Sequence, residues 1–284
     1  MMVDLLPDGR ADRCDQMRYA VETVACRLCP DSRQLTFRSV PAHYSSGEFQ
    51  LRKCSGCGLV YVSPRLTTGY RNACYRDERH LVRWFLSTEE RARRGAQGAV
   101  QAVRGSGLRA GTWLDVGCGI GTLLDEASRA GFTTSGIELN PFCAEYAGQR
   151  HSVVCGDALE VELDLGAYDV ISLTQVLEHV GEPLELLQNV SQCLRPGGVA
   201  FISVPPFDWV RALLDRLAGA QVPSVRLFSP EDHLYYYRPR TMRVLLRSAG
   251  LQPLEWGGST STRQRIGQLG VSCGDFLAVK CRQS

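Results

Sequence analysis

The sequence predicts an α/β fold in which a doubly wound, mostly parallel sheet follows a small cysteine-rich module. Three observations lead to this prediction. An apolar segment runs into a glycine-rich turn at Trp113–Gly121, strand-like and helix-like segments alternate from there to Val204, and two C-x-x-C pairs lie between Cys26 and Cys57. Alternating strands and helices are typical of parallel sheets covered on both faces.

The glycine-rich turn is the most informative segment. It reads W-L-D-V-G-C-G-I-G, and alternating glycines let the backbone approach a ligand closely where a helix begins. A dinucleotide fingerprint would place its last glycine one residue later, where Thr122 stands. Asp115 would repel a pyrophosphate but could accept the ammonium of a methionine moiety. We therefore expect S-adenosylmethionine as the cofactor; an ordinary buried strand with a glycine turn is the alternative.

The elements after the turn fit a nucleoside ligand. A helix at Leu123–Arg129 and a strand at Thr133–Ile137 lead to Glu138, about 20 residues beyond the turn, where an acid holds ribose hydroxyls in such folds. The next strand leads to Asp157, which could accept a hydrogen bond from an adenine amino group. The apolar run Tyr168–Leu173 suggests a strand buried on both faces.

Five motifs occur in one order: L-D-V-G-C-G-I-G, G-I-E-L-N, C-G-D-A, Y-D-V-I-S-L-T-Q-V-L-E-H-V and L-R-P-G-G. Together they resemble the class I S-adenosylmethionine-dependent methyltransferases over roughly residues 111–282. The resemblance implies a Rossmann-like, seven-stranded sheet whose seventh strand is antiparallel, with Leu251–Trp256 and Phe276–Lys280 as its last two strands. It also implies cofactor contacts for the methionine part, the ribose and the adenine, at Asp115, Gly117, Gly119, Glu138, Leu139 and Asp157. Leu139 would pack on the adenine ring or belong to the core.

The two C-x-x-C pairs predict a metal site. Cys26, Cys29, Cys54 and Cys57 form two knuckles separated by 24 residues, slightly longer than the usual zinc-ribbon gap, and the module resembles a zinc ribbon. Four thiolates close a tetrahedron around Zn²⁺ and leave no open position, so we expect a structural zinc. Free buried cysteines or a redox pair are the alternatives. Short strands are predicted at Leu35–Val40, Gly47–Leu51 and Leu59–Val62, and so small a module needs its metal to fold.

The other eight cysteines show no such spacing. We expect them to be core or surface thiols: Cys14, Cys74, Cys118, Cys143, Cys155, Cys193, Cys273 and Cys281.

These segments divide the chain into three parts. Residues 1–66 form the zinc-ribbon-like module, 67–110 a helical bridge, and 111–284 the cofactor-binding domain with a lid insertion at 205–232. The insertion contains Trp209 and a predicted helix at Val210–Leu217. In the bridge, Ser87 and Glu90 form a pattern typical of a capping box that opens a helix.

Charge is unevenly distributed. Residues 1–110 contain 18 Lys and Arg and 11 Asp and Glu, a net charge of +7. Residues 111–284 contain 14 Lys and Arg and 19 Asp and Glu, a net charge of −5, and the two parts add up to the overall net charge of +2. A basic N-terminal module could touch nucleic acid, but it lacks an aromatic-studded basic run. We expect instead a small-molecule or carrier-bound acceptor. No apolar run is long enough for a membrane span, and residues 1–13 lack a secretory pattern, so we expect a cytoplasmic protein.

Two histidines are candidate catalytic bases. Methyl transfer from a sulfonium requires an aligned acceptor and, for a hydroxyl or acidic carbon, removal of a proton. His179 lies just past the fourth predicted strand, at the carboxyl edge of the sheet where ligands of open α/β folds bind. His233 lies in the segment E-D-H-L-Y-Y-Y before a helix opened by Pro239. Each could equally serve as a packing residue.

Three functions are compatible with these observations. The first is methyl transfer to O, N or C of a small or carrier-bound metabolite, such as the sugar and natural-product or cell-surface intermediates suggested by the resemblance. The second is a cyclisation that uses the aminocarboxypropyl arm of S-adenosylmethionine. The third is an inert domain whose zinc ribbon recognises a partner. The sequence does not reveal the oligomeric state.

Overall fold

A seven-stranded sheet organises the computed structural model, which describes residues 21–29, 33–42, 48–205, 230–254 and 275–281. Trp209, the helix predicted at Val210–Leu217 and most of the predicted lid lie outside these residues, as do Trp256 and the N-terminal residues 1–20. In the described ranges, every helix is too short or too polar to cross a bilayer.

The N-terminal part of the chain forms short strands and then three helices. The strands are β1 (Val21–Glu22), β2 (Gln34–Pro41), β3 (Glu48–Cys54), β4 (Val60–Val62) and β5 (Arg65–Leu66). The helices are α1 (Thr68–Arg76), α2 (Leu81–Ser87) and α3 (Glu89–Gly105).

Strands and helices alternate in the remainder. They are β6 (Gly111–Val116), α4 (Thr122–Arg129), β7 (Phe132–Glu138), α5 (Pro141–Gly148), β8 (Ser152–Cys155), β9 (Tyr168–Thr174), α6 (Pro183–Cys193), β10 (Leu194–Ser203), β11 (Tyr235–Tyr236), α7 (Pro239–Ser248), β12 (Leu251–Pro253) and β13 (Asp275–Lys280).

The large sheet has the strand order β12-β13-β10-β9-β6-β7-β8. The five neighbouring strands β10, β9, β6, β7 and β8 pair in parallel. Strand β13 runs antiparallel to both of its neighbours, β10 and β12. The predicted seven-stranded, mostly parallel sheet with one antiparallel strand is therefore confirmed. The carboxyl ends of β6, β7, β8 and β9 consequently meet at one edge.

Both faces of this sheet are buried, and successive residues of its central strands point to opposite sides. Trp113, Val170 and Phe201 pack with the apolar face of α3. Their chain neighbours Leu114 and Ile171 belong to the core on the other face, which includes α6 and α7. This period-two alternation between two apolar layers explains why the strand sequences are continuously hydrophobic.

A second sheet joins the N-terminal module to the C-terminal half of the chain. Its order is β11-β4-β3-β2, and β11 pairs antiparallel with β4 through Tyr235↔Tyr61 and Tyr236↔Val60. Tyr61 and Leu59 belong to the same core cluster as Leu234 and Tyr235. The N-terminal module therefore shares its sheet with β11, which comes from the C-terminal half of the chain. The predicted domain boundary at residue 66 stays a prediction.

The predicted capping box of Ser87 and Glu90 is wrong. Ser87 is the last residue of α2, and its hydroxyl donates to the carbonyl of Trp84 at 2.7 Å. Helix α3 begins at Glu89 after an N-cap at Thr88 that makes no side-chain capping hydrogen bond. Ser87 thus belongs to the last turn of α2, and its hydroxyl is bonded within that helix instead of to the amide groups of α3.

The remaining cysteines behave largely as expected. Cys118, Cys143 and Cys193 are buried thiols, whereas Cys155 and Cys281 are exposed thiols. Cys74 departs from the expectation because it is disulfide-bonded. Cys14 and Cys273 lie outside the described residues.

A buried arginine links the N-terminal module to the large domain. The guanidinium of Arg65, 1% exposed, donates to Glu22 Oε1 at 2.8 Å and to the Tyr235 hydroxyl at 2.9 Å. It also reaches the carbonyl of Gly181 at 3.4 Å. Removing this group would leave buried acceptors without their charged donor, which is among the more costly changes in a protein interior.

We expect Arg65→Ala to lower the free energy of unfolding by about 3 kcal/mol, because charge-assisted hydrogen bonds in a dry site are lost. Urea unfolding followed by circular dichroism measures this change. Arg94→Ala is the control, since Arg94 pairs with Glu90 on an exposed helix face and should cost about 0.5 kcal/mol or less. Equal losses in the two variants would contradict this role of Arg65.

Candidate functional site

The glycine-rich turn after β6 opens the candidate site. Gly117, Gly119 and Gly121 have φ values of +71°, +54° and +86°, a left-handed region that favours glycine. The amides of Gly117 and Cys118 both donate to the carbonyl of Ile137, at 2.8 and 3.0 Å. A Cβ on Gly117 would collide with the side chain of Val176. The backbone therefore needs glycine at 117, and the turn leads directly into α4, which begins at Thr122.

Asp115 is a buried carboxylate directly before this turn. It is 3% exposed and accepts a hydrogen bond from Ser172 Oγ at 2.6 Å. Burial raises its pKa to about 7, and the nearby carboxylate of Glu138 contributes in the same direction. A cationic group beside Asp115, such as an ammonium, would stabilise its ionised form.

Glu138 ends β7 and ties the turn to that strand. Its Oε2 accepts the amide of Gly119 at 2.7 Å, and its Oε1 accepts the amide of Asn140 at 2.8 Å. The side chain of Tyr75 also hydrogen-bonds to it. Burial nevertheless raises the pKa of Glu138. Leu139, the predicted adenine contact, is half-buried beside this carboxylate.

Asp157 follows β8 and is held by the helical bridge. Asn72 Nδ2 on α1 donates to Asp157 Oδ2 at 2.6 Å, and the amide of Leu159 donates to Oδ1 at 3.0 Å. The predicted methionine, ribose and adenine contacts thus lie near the carboxyl ends of three adjacent parallel strands, β6, β7 and β8. This is the edge of the sheet at which ligands of open α/β folds bind.

The bridge also covers this edge, which the sequence did not indicate. The ring of Phe85 on α2 lies 3.4 Å from where a Cβ of Gly119 would be. Asn140 caps α5 with its side-chain oxygen and donates to the carbonyl of Tyr75 at 2.7 Å. The capping role of Asn140 could have been predicted, because Asn followed by Pro is typical of a helix start. Asn72, Tyr75 and Phe85 carry no local signal, because their contacts lie far along the chain.

The two candidate catalytic histidines lie together. The ring centroids of His179 and His233 are 4.8 Å apart in an edge-to-face arrangement. His179 Nδ1 lies 2.8 Å from the carbonyl of Asp232, so this nitrogen carries the proton and Nε2 carries the lone pair. Burial is the main cause that lowers the pKa of His179 to about 3 and of His233 to about 4. Both imidazoles are uncharged at neutral pH.

Glu178 completes this cluster. It is 1% exposed, and neither carboxyl oxygen has a hydrogen-bond partner among the residues that the structure describes. Its Oε1 lies 3.7 Å from His179 Nε2, and burial raises its pKa to about 8. The positive charge of Arg71 acts on both imidazoles, which disfavours a divalent cation beside them. The cluster is therefore better suited to holding and moving a proton.

The four predicted metal ligands come together in the N-terminal module. The sulfur atoms of Cys26, Cys29, Cys54 and Cys57 all lie within 4.8 Å of one another. Cys26 Sγ and Cys57 Sγ are 3.6 Å apart, and a hydrogen bond from Cys57 lowers the pKa of the Cys26 thiol. A tetrahedral zinc with Zn–S distances of about 2.3 Å separates its sulfurs by about 3.8 Å. The donor set fits Zn²⁺.

Comparison with known proteins gives three kinds of match. A family model described as a methyltransferase domain matches residues 88–255, which is more than half of the chain. Among solved structures, a chain from the Haloferax volcanii complex of the Trm112 methyltransferase activator with a methyltransferase is similar, with a TM-score of 0.54, 16% identity and coverage of 74% of this chain and 99% of that one. A methyltransferase from Thermotoga maritima has a TM-score of 0.50, 16% identity and coverage of 71% and 97%.

Curated relatives include ubiquinone biosynthesis O-methyltransferases. The protein from Ralstonia nicotianae is 29% identical over 154 residues, which is 51% of this chain and 64% of the relative. The protein from Cupriavidus pinatubonensis is 29% identical over 165 residues, 55% of this chain and 66% of the relative. The match thus spans slightly less than two thirds of each relative. The domain match and the seven-stranded sheet together show that the chain belongs to the methyltransferase-domain family and has the class I S-adenosylmethionine-dependent methyltransferase fold.

Proposed function

We propose that this protein transfers the methyl group of S-adenosylmethionine to an oxygen atom of a small or carrier-bound acceptor. The observation that carries the proposal is the row of Asp115, Glu138 and Asp157 at the ends of three adjacent strands beside the glycine-rich turn. The O-methyltransferase names of the curated relatives favour oxygen over nitrogen or carbon. A sugar or a natural-product or cell-surface intermediate is the acceptor class that we expect.

Each carboxylate has a defined task in this proposal. Bound S-adenosylmethionine supplies an electrophilic methyl on a sulfonium and a good leaving group. Asp115 binds the ammonium, Glu138 accepts hydrogen bonds from ribose hydroxyls, and Asp157 accepts one from the adenine amino group. Gly117 and Gly119 let the backbone approach the methionine part, and Leu139 packs on the adenine. Alignment of the acceptor then supplies much of the rate enhancement.

The histidine pair removes the acceptor proton. Both imidazoles are uncharged at neutral pH, and their low pKa values make them weak bases. The uncharged imidazole is the form that can accept a proton from an acceptor hydroxyl. The carboxyl of Glu178, with its pKa raised by burial, holds a proton beside His179.

The four-cysteine set is proposed to hold a structural Zn²⁺. All four ligand positions would be thiolates, so no coordination site is left for water or substrate. The metal would join the segment after β1 to the end of β3 and the loop before β4. Because the module is small, binding of the metal contributes directly to its folding.

Cofactor affinity should depend on the protonation of Asp115. The raised pKa means that the free protein carries a neutral Asp115 below pH 7, and binding of an ammonium requires the ionised form. We expect the affinity for S-adenosylmethionine to fall by about tenfold per pH unit below 7, and to fall again above about pH 8, where the α-amino group of the ligand loses its proton. Calorimetric titration between pH 5.5 and 8.5 measures this dependence.

Two variants serve this titration. Asp115→Asn should bind more weakly and show no further loss of affinity below pH 7, whereas Glu90→Gln removes an exposed carboxylate and should bind like the wild type. A wild-type affinity that does not change with pH would contradict the role of Asp115. No binding of S-adenosylmethionine or S-adenosylhomocysteine by the folded protein would overturn the proposed function.

Product analysis tests the reaction itself. Incubation with S-adenosylmethionine and a panel of phenols, enols, amines and sugars should yield an O-methylated product and S-adenosylhomocysteine. His233→Ala should lower kcat by about 10²- to 10⁴-fold without changing cofactor affinity, because only proton transfer is lost. Release of methylthioadenosine would indicate transfer of the aminocarboxypropyl arm instead. Cofactor binding without turnover of the panel would favour a partner-binding role.

The metal site is tested by elemental analysis. The purified chain should contain about one zinc per monomer, and removing two of the four ligands in Cys54→Ser/Cys57→Ser should abolish binding and unfold the module. Cys155→Ser is the control, because Cys155 is an exposed thiol outside the set. Metal-free protein with an intact N-terminal sheet would contradict the proposal.

A further inference from the structure

Arg71 on α1 contacts both of the segments that carry the catalytic histidines. Its Nη1 donates to the carbonyl of His179 at 2.6 Å and its Nη2 to the carbonyl of Asp232 at 2.7 Å. Its Nε donates to the carbonyl of Glu231 at 3.2 Å. One guanidinium therefore holds three backbone oxygens from two loops that are more than 50 residues apart in sequence.

These contacts connect directly to the imidazoles. His179 Nδ1 donates to the same Asp232 carbonyl that Arg71 Nη2 reaches. His233 is the next residue along the chain, and its ring contacts that of His179. The position of each ring relative to the other thus depends on the two carbonyls that Arg71 binds. A planar guanidinium with a fixed fork of donors suits this task better than a flexible ammonium.

We propose that Arg71 is a positioning residue, which clamps the loops of His179 and His233 together and fixes the orientation of the two imidazoles for removal of the acceptor proton. The proposal deepens the methyl-transfer function and rests on it. Arg71 acts through the two histidines and is assigned no contact with the acceptor.

The charges around the pair support this role. The charged and titratable groups that face the two rings are Glu178, 3.7 Å from His179 Nε2, the guanidinium of Arg71, and Tyr236, whose ring centroid lies 6.4 Å from that of His233. Burial lowers the pKa of Arg71 to about 10, so it stays cationic at neutral pH. Burial is the largest cause of the lowered pKa values of His179 and His233, and the positive charge of Arg71 lowers both values further. A cation beside an imidazole disfavours its protonated form.

Helix α1 is itself anchored to the cofactor edge. Asn72, the next residue, donates to Asp157, and Asn140 beside Glu138 donates to the carbonyl of Tyr75. The same helix therefore contacts the adenine carboxylate on one side and the histidine loops on the other. A misplaced α1 would disturb both, which is why the test must separate positioning from general loss of structure.

The test combines histidine titration with kinetics in three variants of the full chain. Arg71→Gln removes the charge and most of the clamp, Arg71→Lys keeps the charge but loses the fork, and Arg76→Gln removes an exposed arginine from the same helix. NMR of the imidazole signals gives the pKa values of His179 and His233. Initial rates with S-adenosylmethionine and an active acceptor give kcat and KM, and calorimetry gives cofactor affinity.

We expect Arg71→Gln to raise both histidine pKa values by about one unit. It should lower kcat by about 100-fold while cofactor affinity changes less than threefold. Arg71→Lys should keep the wild-type histidine titration but lower kcat by about tenfold, because the charge stays and the geometry is lost. Arg76→Gln should match the wild type in every measurement.

Unchanged titration and unchanged kcat in a folded Arg71→Gln would overturn the proposal. If Arg71→Gln does not fold, Arg71→Lys decides: wild-type kcat would overturn the clamp, and reduced kcat with an unchanged histidine titration would support it. If the wild type turns over no acceptor, the proposed function fails, while the histidine titrations still decide the role of Arg71 on the imidazoles.

Discussion

The cofactor edge of this protein depends on the buried carboxylate of Glu138. By accepting the amides of Gly119 and Asn140, it joins the glycine-rich turn after β6 to the start of α5. Keeping a carboxylate in a dry site costs several kcal/mol unless hydrogen bonds and compensating charge are close. The amides supply part of that compensation, and the negative charge of Glu138 is one cause of the raised pKa of Asp115.

The balance of charge at this edge favours a cationic cofactor. Asp115 and Glu138 are both nearly fully buried, and the nearest donors to them are neutral hydroxyl and amide groups. A pyrophosphate would add negative charge to two buried carboxylates, whereas an ammonium and a sulfonium would offset it. A glycine-rich turn of this kind binds dinucleotides in other folds. Here the surrounding carboxylates favour a cationic ligand instead.

The sequence was sufficient for the features that local patterns encode. The strands, the glycine-rich turn, the acids that follow β6, β7 and β8, and the cysteine knuckles all depend on spacing within short segments. The capping box failed because α2 extends through Ser87, which the local pattern does not show. Arg71, Asn72 and Tyr75 were missed because their partners lie 63 to 161 residues away, where only the fold brings them close.

The same long-range pairing explains how the cysteine module can influence chemistry that it does not perform. Strand β11 begins at Tyr235, two residues after His233, and completes the sheet of the module by pairing with β4. Arg65, at the start of β5, binds the hydroxyl of Tyr235 from the other side. The segment of His233 is therefore held by the module through β11 and by α1 through Arg71. A metal bound by the four cysteines would therefore also help to define the position of His233.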